Sequence, residues 1–394
     1  MRIGLDLPPH FRVFGAFFIY SLGLGGIFPR LAEIQSSINA PQGEFGLALI
    51  GTAVGTLISL TFGSAIIERL GHRVILVLIP FLAALYALAS CATGPVALFL
   101  LLLPCGITVG CIEIVINLEA DRAEHQLGRR IMNRAHGFWS LGFFTAGLIG
   151  AGFAQLRISP QIDLIIMVPV ILIGVLLLIG KFEPAPHRAT AHAAPAKRFA
   201  SPTLAIMVLV VLTISAMILE GAGADWSAIY MRDVFQAAPF VMGFAAAAGA
   251  MMQAVTRFFA DGFVERYSPV IVARVLLAVQ FVGALAVFFA PNDVIALVGL
   301  AVIGIGTSVI FPLAMSAAAQ RSDRPAVTNV AALAQISFMA FLLGPPLLGF
   351  IAQNFGVRWS FGIGMPLVVL SFLASGVLGK RPLPATVAEP LPGE

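Results

Sequence analysis

Twelve long apolar runs, each close to the length of a membrane span, constrain this chain more than any other feature of its sequence. About 20 apolar residues in a helix cross the hydrocarbon core of a bilayer. The runs are too long and too continuous for barrel strands, the other structure that satisfies its backbone in lipid. The sequence therefore predicts an all-α membrane protein with twelve transmembrane helices, near residues 13–36, 46–67, 74–93, 96–118, 136–155, 162–180, 204–224, 241–260, 270–290, 294–318, 329–352 and 360–379.

The composition supports a membrane protein and argues against a soluble one. The 394 residues are 59% hydrophobic and 11% charged, whereas soluble domains carry about 25% charged residues. The net charge of +4 is better explained by basic loops beside a membrane than by nucleic acid. We therefore expect the lipid bilayer as a partner and no nucleic acid.

Catalytic and metal-binding patterns are missing from the sequence. The three cysteines, Cys91, Cys105 and Cys111, fall inside predicted helices 3 and 4, which argues against a disulfide framework, and they lack metal-ligand spacing. The sequence has no Walker A loop or other phosphate-binding glycine loop. We expect no cofactor, no metal site, no enzymatic activity and no ATP-driven transport.

An internal repeat divides the chain into two halves. Residues 62–73 return in altered form at 259–266, and one offset aligns Glu68 with Glu265 and Arg69 with Arg266. Repeats of this kind mark several transporter folds. The chain is predicted to form two pseudo-symmetric six-helix bundles, at residues 1–182 and 203–379, with a cytoplasmic linker at 183–202 and a cytoplasmic tail at 380–394.

The distribution of Lys and Arg predicts the orientation in the membrane, because cytoplasmic loops are enriched in both. Basic residues collect in alternate loops, while the opposite loops hold little beyond Arg157, Arg232 and Arg358. Both termini should therefore be cytoplasmic. The first apolar run is longer than a signal-peptide core and has no convincing cleavage site, so we expect it to be retained as helix 1.

The loop between predicted helices 2 and 3 carries a recognisable motif. Residues 64–73 resemble the signature of the major facilitator superfamily, Gly-x-x-x-Asp-x-x-Gly-Arg-Lys/Arg. Glu68 stands at the family's Asp, Gly71 and Arg73 match, and Ser64 and His72 depart from the pattern. The resemblance implies the twelve-helix fold of that family and a rocking movement of two bundles about a central cavity.

In that family the acid and the bases of this loop latch the two halves together on the cytoplasmic side. Carried over to this chain, the resemblance and the internal repeat imply one set of gating residues in each half. Arg257, one turn before Asp261, is interpreted as part of the second-half set rather than of a substrate site. The predicted gating residues are Glu68, Arg69, Arg73, Asp261, Glu265 and Arg266.

Glu113 is the first candidate for a functional acid within a membrane helix. It lies in predicted helix 4, with Asn117 one turn later on the same face. An ionisable group there is costly and indicates function by default, although a structural pair with a neighbouring helix remains an alternative. Glu33, three residues after Arg30, is a second proton-coupling candidate at the outer mouth; the alternative is an interfacial ion pair.

Predicted helix 5 opens with a polar stripe of Asn133, His136 and Ser140, and Trp139 lies in the same segment as a further binding candidate. Together with Asn117, this segment resembles a bacterial subgroup of uncharacterised permeases of the superfamily. Those permeases carry an Asn late in helix 4 and a His-x-x-Trp-Ser run early in helix 5. The stripe is therefore a candidate substrate-binding surface, and the alternative for His136 is a histidine that serves helix packing.

Predicted helix 7 ends with a second polar group, formed by Glu220, Asp225 and Trp226. Gly221 and Gly223 are expected to loosen the helix there, and transporters build binding sites at broken helices. The Asp-Trp-Ser-x-x-Tyr string again resembles the permease subgroup. We expect these three residues to bind substrate, with an interfacial aromatic belt as the alternative for the indole.

These features predict a secondary transporter of a small polar organic solute, of the sugar or organic acid type. Proton-coupled symport by alternating access of a rocking bundle is the expected mechanism, in a monomer of the bacterial inner membrane. A drug/proton antiporter is the first alternative, although predicted helix 5 has glycines without the proline of the antiporter motif. A sensor that binds solute without moving it is the second.

Overall fold

The computed structural model describes residues 4–128, 131–184, 201–321, 323–324 and 326–379. Within the helices, the side chains at 64–66, 133, 261, 265, 326 and 327 are outside this description. The central part of the predicted linker and the predicted tail at 380–394 therefore also lie outside the described residues.

The described chain contains twelve helical segments that are long and apolar enough to cross a membrane, which confirms the sequence prediction. The first six spans comprise α1 (Pro9–Gly25), α2 (Leu31–Ser37), α3 (Gln42–Leu70), α4 (Ile75–Ala89), α5 (Pro95–Leu127), α6 (Met132–Gln155) and α7 (Pro160–Ile179). The last six comprise α8 (Leu204–Asp225), α10 (Pro239–Tyr267), α11 (Pro269–Phe288), α12 (Asp293–Thr307), α13 (Ile310–Ala319), α14 (Ala326–Phe355), α15 (Arg358–Gly362) and α16 (Gly364–Ala374). A short helix, α9 (Ser227–Phe235), lies between the spans of α8 and α10.

An even number of spans puts the start of α1 and the end of α16 at the same end of the molecule. We call this the terminal end and the opposite one the distal end. Three spans are interrupted along their length. A 3-10 turn at Phe28–Arg30 separates α1 from α2, Ser308 and Val309 separate α12 from α13, and Ile363 separates α15 from α16. The expected loosening at Gly221 and Gly223 was wrong, because α8 continues through both glycines and ends at Asp225.

Glycine lets equivalent helix pairs approach closely in the two halves. A Cβ added to Gly106 on α5 would lie 1.9 Å from the carbonyl oxygen of Thr52 on α3. In the last six spans, a Cβ on Gly304 of α12 would lie 2.1 Å from the carbonyl oxygen of Gly249 on α10. Small residues at such crossings are the usual basis of helix packing in membranes, and here the second and fourth spans of each half use them.

A buried arginine organises the distal end of the first half. Arg30 is fully buried and donates to Asp163 at 2.8 Å and to Glu33 at 2.6 Å, as well as to the carbonyl oxygen of Ile158. The Arg30–Glu33 pair is evident from the sequence, whereas Asp163 lies far from both in the chain and was not predicted. Because α2 supplies Glu33 and α7 supplies Asp163 as partners of Arg30, this geometry favours the ion-pair interpretation of Glu33.

Candidate transport cavity

A cavity of about 910 Å³ lies between the two halves. The first half contributes residues of α1, α3, α4, α5 and α6 to its wall, and the second half contributes residues of α8, α10, α12 and α14. Most of the lining side chains are apolar. The few polar ones form three groups, centred on Glu113, Glu220 and Asp225.

The Glu113 group belongs to the first half. Asn117 donates through Nδ2 to the Glu113 carboxylate at 2.9 Å, and the same nitrogen reaches the Glu113 carbonyl oxygen at 2.9 Å. The Tyr20 hydroxyl also faces this carboxylate and interacts with it. No described cation acts on Glu113. The expected pairing of Glu113 and Asn117 on one helix face is therefore present, at the cavity wall.

The Glu220 group belongs to the second half and includes Arg257. Glu220 on α8 lies within electrostatic reach of Arg257 on α10 and beside Gln253. Arg257 donates through Nε to the carbonyl oxygen of Ser308 at 2.9 Å, in the break between α12 and α13. Arg257 was assigned to the second-half latch, but its described contacts are with this group. Gln253 and Arg257 are one helical turn apart in the sequence, and this spacing is the feature that could have linked Arg257 to the Glu220 group.

The third group consists of Asp225 with few polar neighbours. Asp225 is the last residue of α8, half-buried, and lines the cavity. Its charge acts on the fully buried Tyr86 of α4. Among the described residues, no hydrogen bond or ion pair holds the Asp225 carboxylate.

The predicted polar stripe on α6 is only partly at the cavity. Trp139 lines it and stacks on Phe143 at a ring-centroid distance of 5.5 Å, and its indole N–H has no hydrogen-bond partner in the described structure. His136 instead faces Phe17 edge-on at 5.1 Å, within electrostatic reach of Arg257. The side chain of Asn133 lies outside the described residues.

Trp226 occupies a position that the sequence did not predict. It is fully buried and does not line the cavity. Its ring meets Phe45 of α3 edge-on at 6.4 Å and packs against Gly349 of α14, where an added Cβ would lie 3.1 Å from the indole. In this conformation Trp226 contacts both halves and cannot touch a solute in the cavity, so the substrate-binding prediction for it needs correction.

Hydrogen bonds join the two halves at the distal end. Arg232 on α9 donates to the carbonyl oxygen of Ala32 at 2.6 Å, to Ser36 Oγ at 2.7 Å and to Gln35 Oε1 at 2.7 Å. Three further bonds link Gly43 N to Gln353 at 3.0 Å, Phe240 N to Gln155 at 3.1 Å and Gln42 to Asp233 at 3.5 Å. We call this set the distal seal.

The predicted gating residues lie at the terminal end. Glu68, Arg69 and Arg73 are exposed and make no hydrogen bond or ion pair with another described residue. Arg266 lies over the ring of its neighbour Tyr267 at 5.2 Å, and the side chains of Asp261 and Glu265 lie outside the described residues. The predicted latch between the halves therefore remains a prediction.

His72, where the motif departs from the family pattern, has a partner in its own half. Its Nδ1 contacts the carboxylate of Glu119 on α5, and Arg122 donates to the same carboxylate at 3.1 Å. Both His72 and Glu119 are buried. This group ties the loop after α3 to α5 within the first half.

Comparison with known proteins finds similarity to transporters of one superfamily. A sequence model described as Major Facilitator Superfamily matches residues 208–393. An uncharacterised transporter of Sinorhizobium fredii is 29% identical, over 93% of this chain and 98% of the relative. An uncharacterised MFS-type transporter of Yersinia pestis is 26% identical, over 91% and 93%. The membrane protein MosC of Rhizobium meliloti is 24% identical, over 92% and 86%.

Solved structures of transporters share the fold. The nucleoside transporter NupG superposes with a TM-score of 0.69 at 14% identity, covering 95% of this chain and 100% of that one. A bacterial homologue of the human lysosomal transporter Spinster, in an inward-facing and occupied conformation, gives 0.70 at 16% identity, covering 95% and 98%. At these identities the likeness concerns the fold alone.

Proposed function

We propose that the chain is a transporter of the major facilitator superfamily, which the match over residues 208–393 and the curated relatives support, and that it carries a small polar organic solute together with protons. The two bundles would rock about the cavity, exposing it first to one side of the membrane and then to the other. We place the protein in the bacterial inner membrane, acting as a monomer, with both termini in the cytoplasm.

One observation carries the proton coupling: Glu113 lies at the cavity wall with no described cation beside it. A charged carboxylate in a membrane-embedded apolar cavity is costly. Glu113 therefore favours its protonated form when the cavity is closed and can release the proton when water enters from one side. Asn117, at 2.9 Å, can donate to the ionised form and so supports both states.

The distal seal supports alternating access. It holds the halves together at the end opposite the termini, while Glu68 and Arg73 at the terminal end are exposed and unpaired among described residues. With cytoplasmic termini, this arrangement is an inward-facing state. The outward-facing state would then require the distal seal to open and the latch at the terminal end to form.

The polar groups support a solute with hydrogen-bonding functions. Asn117 and Trp139 come from the first half, and Glu220 and Gln253 come from the second. A carrier of this kind must contact its solute with both halves if solute binding is to control their relative movement. Pockets with a few placed polar groups in an apolar wall suit small organic molecules; sugars and organic acids were the classes expected from sequence.

Drug/proton antiport is the second candidate, and the predominantly apolar wall of the cavity favours it. Efflux of lipophilic compounds needs little more than apolar surface and one or two acids. The two candidates differ in the direction of proton flow relative to solute flow, which a transport assay measures directly.

The test uses purified protein in proteoliposomes, with a radiolabelled solute chosen from a thermal-stabilisation screen of sugars, organic acids, amines and drugs. Counterflow without a gradient establishes transport, and its absence for every stabilising compound would favour the sensor instead. Glu113→Gln should retain counterflow but lose accumulation driven by a pH gradient. Glu44→Gln, which changes an exposed acid at the distal end, should retain both. Normal accumulation by Glu113→Gln would refute the assignment.

A further inference from the structure

The cavity has more negative than positive charge in its wall. Glu113, Glu220 and Asp225 line it, and only Glu220 has a described cation, Arg257, within electrostatic reach. Among the described residues, no cation acts on the carboxylate of Glu113 or on that of Asp225. After the Glu220–Arg257 pair is set aside, two carboxylates remain uncompensated.

The carboxylate of Asp225 has no described partner for its negative charge. Asp225 is the last residue of α8, and α9 begins at Ser227. Unlike Glu113, which accepts a hydrogen bond from Asn117, Asp225 has no described hydrogen-bond donor.

A second and independent observation points to a ligand in the same cavity. Trp139 lines the cavity, and its indole N–H, a buried atom, has no hydrogen-bond partner in the described structure. Buried polar groups normally have partners, so this N–H is available to a bound molecule. Tyr20, Tyr86 and Trp139 also bring aromatic rings to the wall, and such rings attract organic cations.

We infer that the transported solute carries a positively charged nitrogen, an ammonium or a substituted ammonium group, which binds Asp225. This inference rests on the proposed function and narrows its solute class: amines and amino sugars fit, and simple organic acids do not. With Glu113 protonated and Asp225 paired with the cation, the loaded cavity carries no uncompensated charge. A neutral load is what passage through the membrane interior favours.

The test compares ligands that share a ring and differ in charge, with the full-length protein in lipid nanodiscs. The probes are glucosamine, glucose and glucuronate, and cyclohexylamine, cyclohexanol and cyclohexanecarboxylate, at a pH where the amines are protonated. Thermal unfolding and calorimetric titration report binding. We expect at least one amine to bind roughly tenfold or more tightly than its neutral and anionic counterparts, as expected for a charge-assisted contact.

Variants of the proposed cation site complete the test. Asp225→Asn should remove the preference for the amine and leave weak binding of the neutral ring, whereas Asp225→Glu should restore part of it. The matched control is Glu44→Gln, which removes an acid outside the cavity and should leave the preference for the amine unchanged. Thermal unfolding of each variant without ligand shows whether it is folded. If the Asp225→Asn variant is not folded, binding is compared between Asp225→Glu and the unchanged protein.

The possible outcomes separate this inference from the proposed function. Tighter binding of a neutral or anionic probe, or no binding of either amine, overturns the cation assignment. A cation preference that survives Asp225→Asn overturns it as well. If a neutral or anionic solute is nevertheless accumulated on a pH gradient, the proposed transport stands. An amine that binds through Asp225 but shows no counterflow would support the site and refute the proposed transport.

Discussion

The guanidinium of Arg232 reaches from the second half into the first and donates to Gln35 Oε1 at 2.7 Å. Its helix, α9, is anchored in its own half by Tyr230, whose hydroxyl donates to the carbonyl oxygen of Val287 at 2.6 Å. Burial raises the pKa of Tyr230 to about 12, so the phenol keeps the donated proton at any physiological pH. The contact between Arg232 and Gln35 therefore joins an anchored helix of the second half to α2 of the first.

Arg232→Gln should shift the population toward the state in which the distal end is open. The substitution removes charge-assisted bonds that are partly exposed, so we expect a loss of about 1–2 kcal/mol, roughly a five- to thirtyfold change in the ratio of states. The measurement is labelling of Ala53→Cys, a cavity position, by an impermeant maleimide added at the distal side. Cys91, Cys105 and Cys111 are replaced beforehand.

The control for this prediction is Arg157→Asn. Arg157 is an exposed arginine at the distal end with a left-handed backbone, φ 56°, a conformation that Asn tolerates. It lies outside the distal seal, so labelling should not change. Equal labelling of the Arg232→Gln and Arg157→Asn proteins would show that the seal does not hold this state.

Two glycine substitutions of equal size should have different effects. A Cβ at Gly46 of α3 would lie 2.4 Å from the carbonyl oxygen of Pro345, across the two halves, whereas one at Gly106 would meet Thr52 within the first half. Gly46→Ala should therefore increase distal labelling of the cavity cysteine. Gly106→Ala should instead lower the unfolding temperature, since overpacking typically costs about 1–3 kcal/mol. Identical responses in both assays would contradict this assignment of the interface.

Trp226→Ala and Asn117→Ala should separate conformational control from solute binding. Trp226 contacts Phe45 across the halves outside the cavity, so its loss should raise distal labelling and leave contacts with the cavity-bound solute in place. Asn117 lines the cavity, so its truncation should weaken solute affinity in a calorimetric titration without raising labelling. Reversed effects of the two variants would return Trp226 to the binding site.

The latch predicted at the terminal end should become visible only when the distal seal is weakened. Glu68→Gln combined with Arg73→Gln should have little effect alone, because both residues are exposed and unpaired among described residues in this state. In the Arg232→Gln background the same pair should reverse part of the increase in distal labelling. Exposed pairs are each worth about 0–1 kcal/mol, so partial reversal is expected. Purely additive behaviour with no reversal would rule out the latch.

The sequence determined the twelve spans, because their length and apolar character are local properties that lipid enforces on any chain. It also identified Glu113, Asn117 and Glu220, since an ionisable or amide side chain inside an apolar helix is conspicuous without any knowledge of its neighbours. All three line the cavity.

Only the tertiary structure decided which polar residues meet across helices and halves. Arg257 belongs with Glu220 because α10 turns that face toward α8 and the break after α12 offers it a carbonyl group. Trp226 is buried between the halves, and Arg232, a lone basic residue in a loop by sequence, seals the distal end. The composition of a helix shows that it spans the membrane, but the face it turns to each neighbour depends on side-chain packing between segments far apart in the chain.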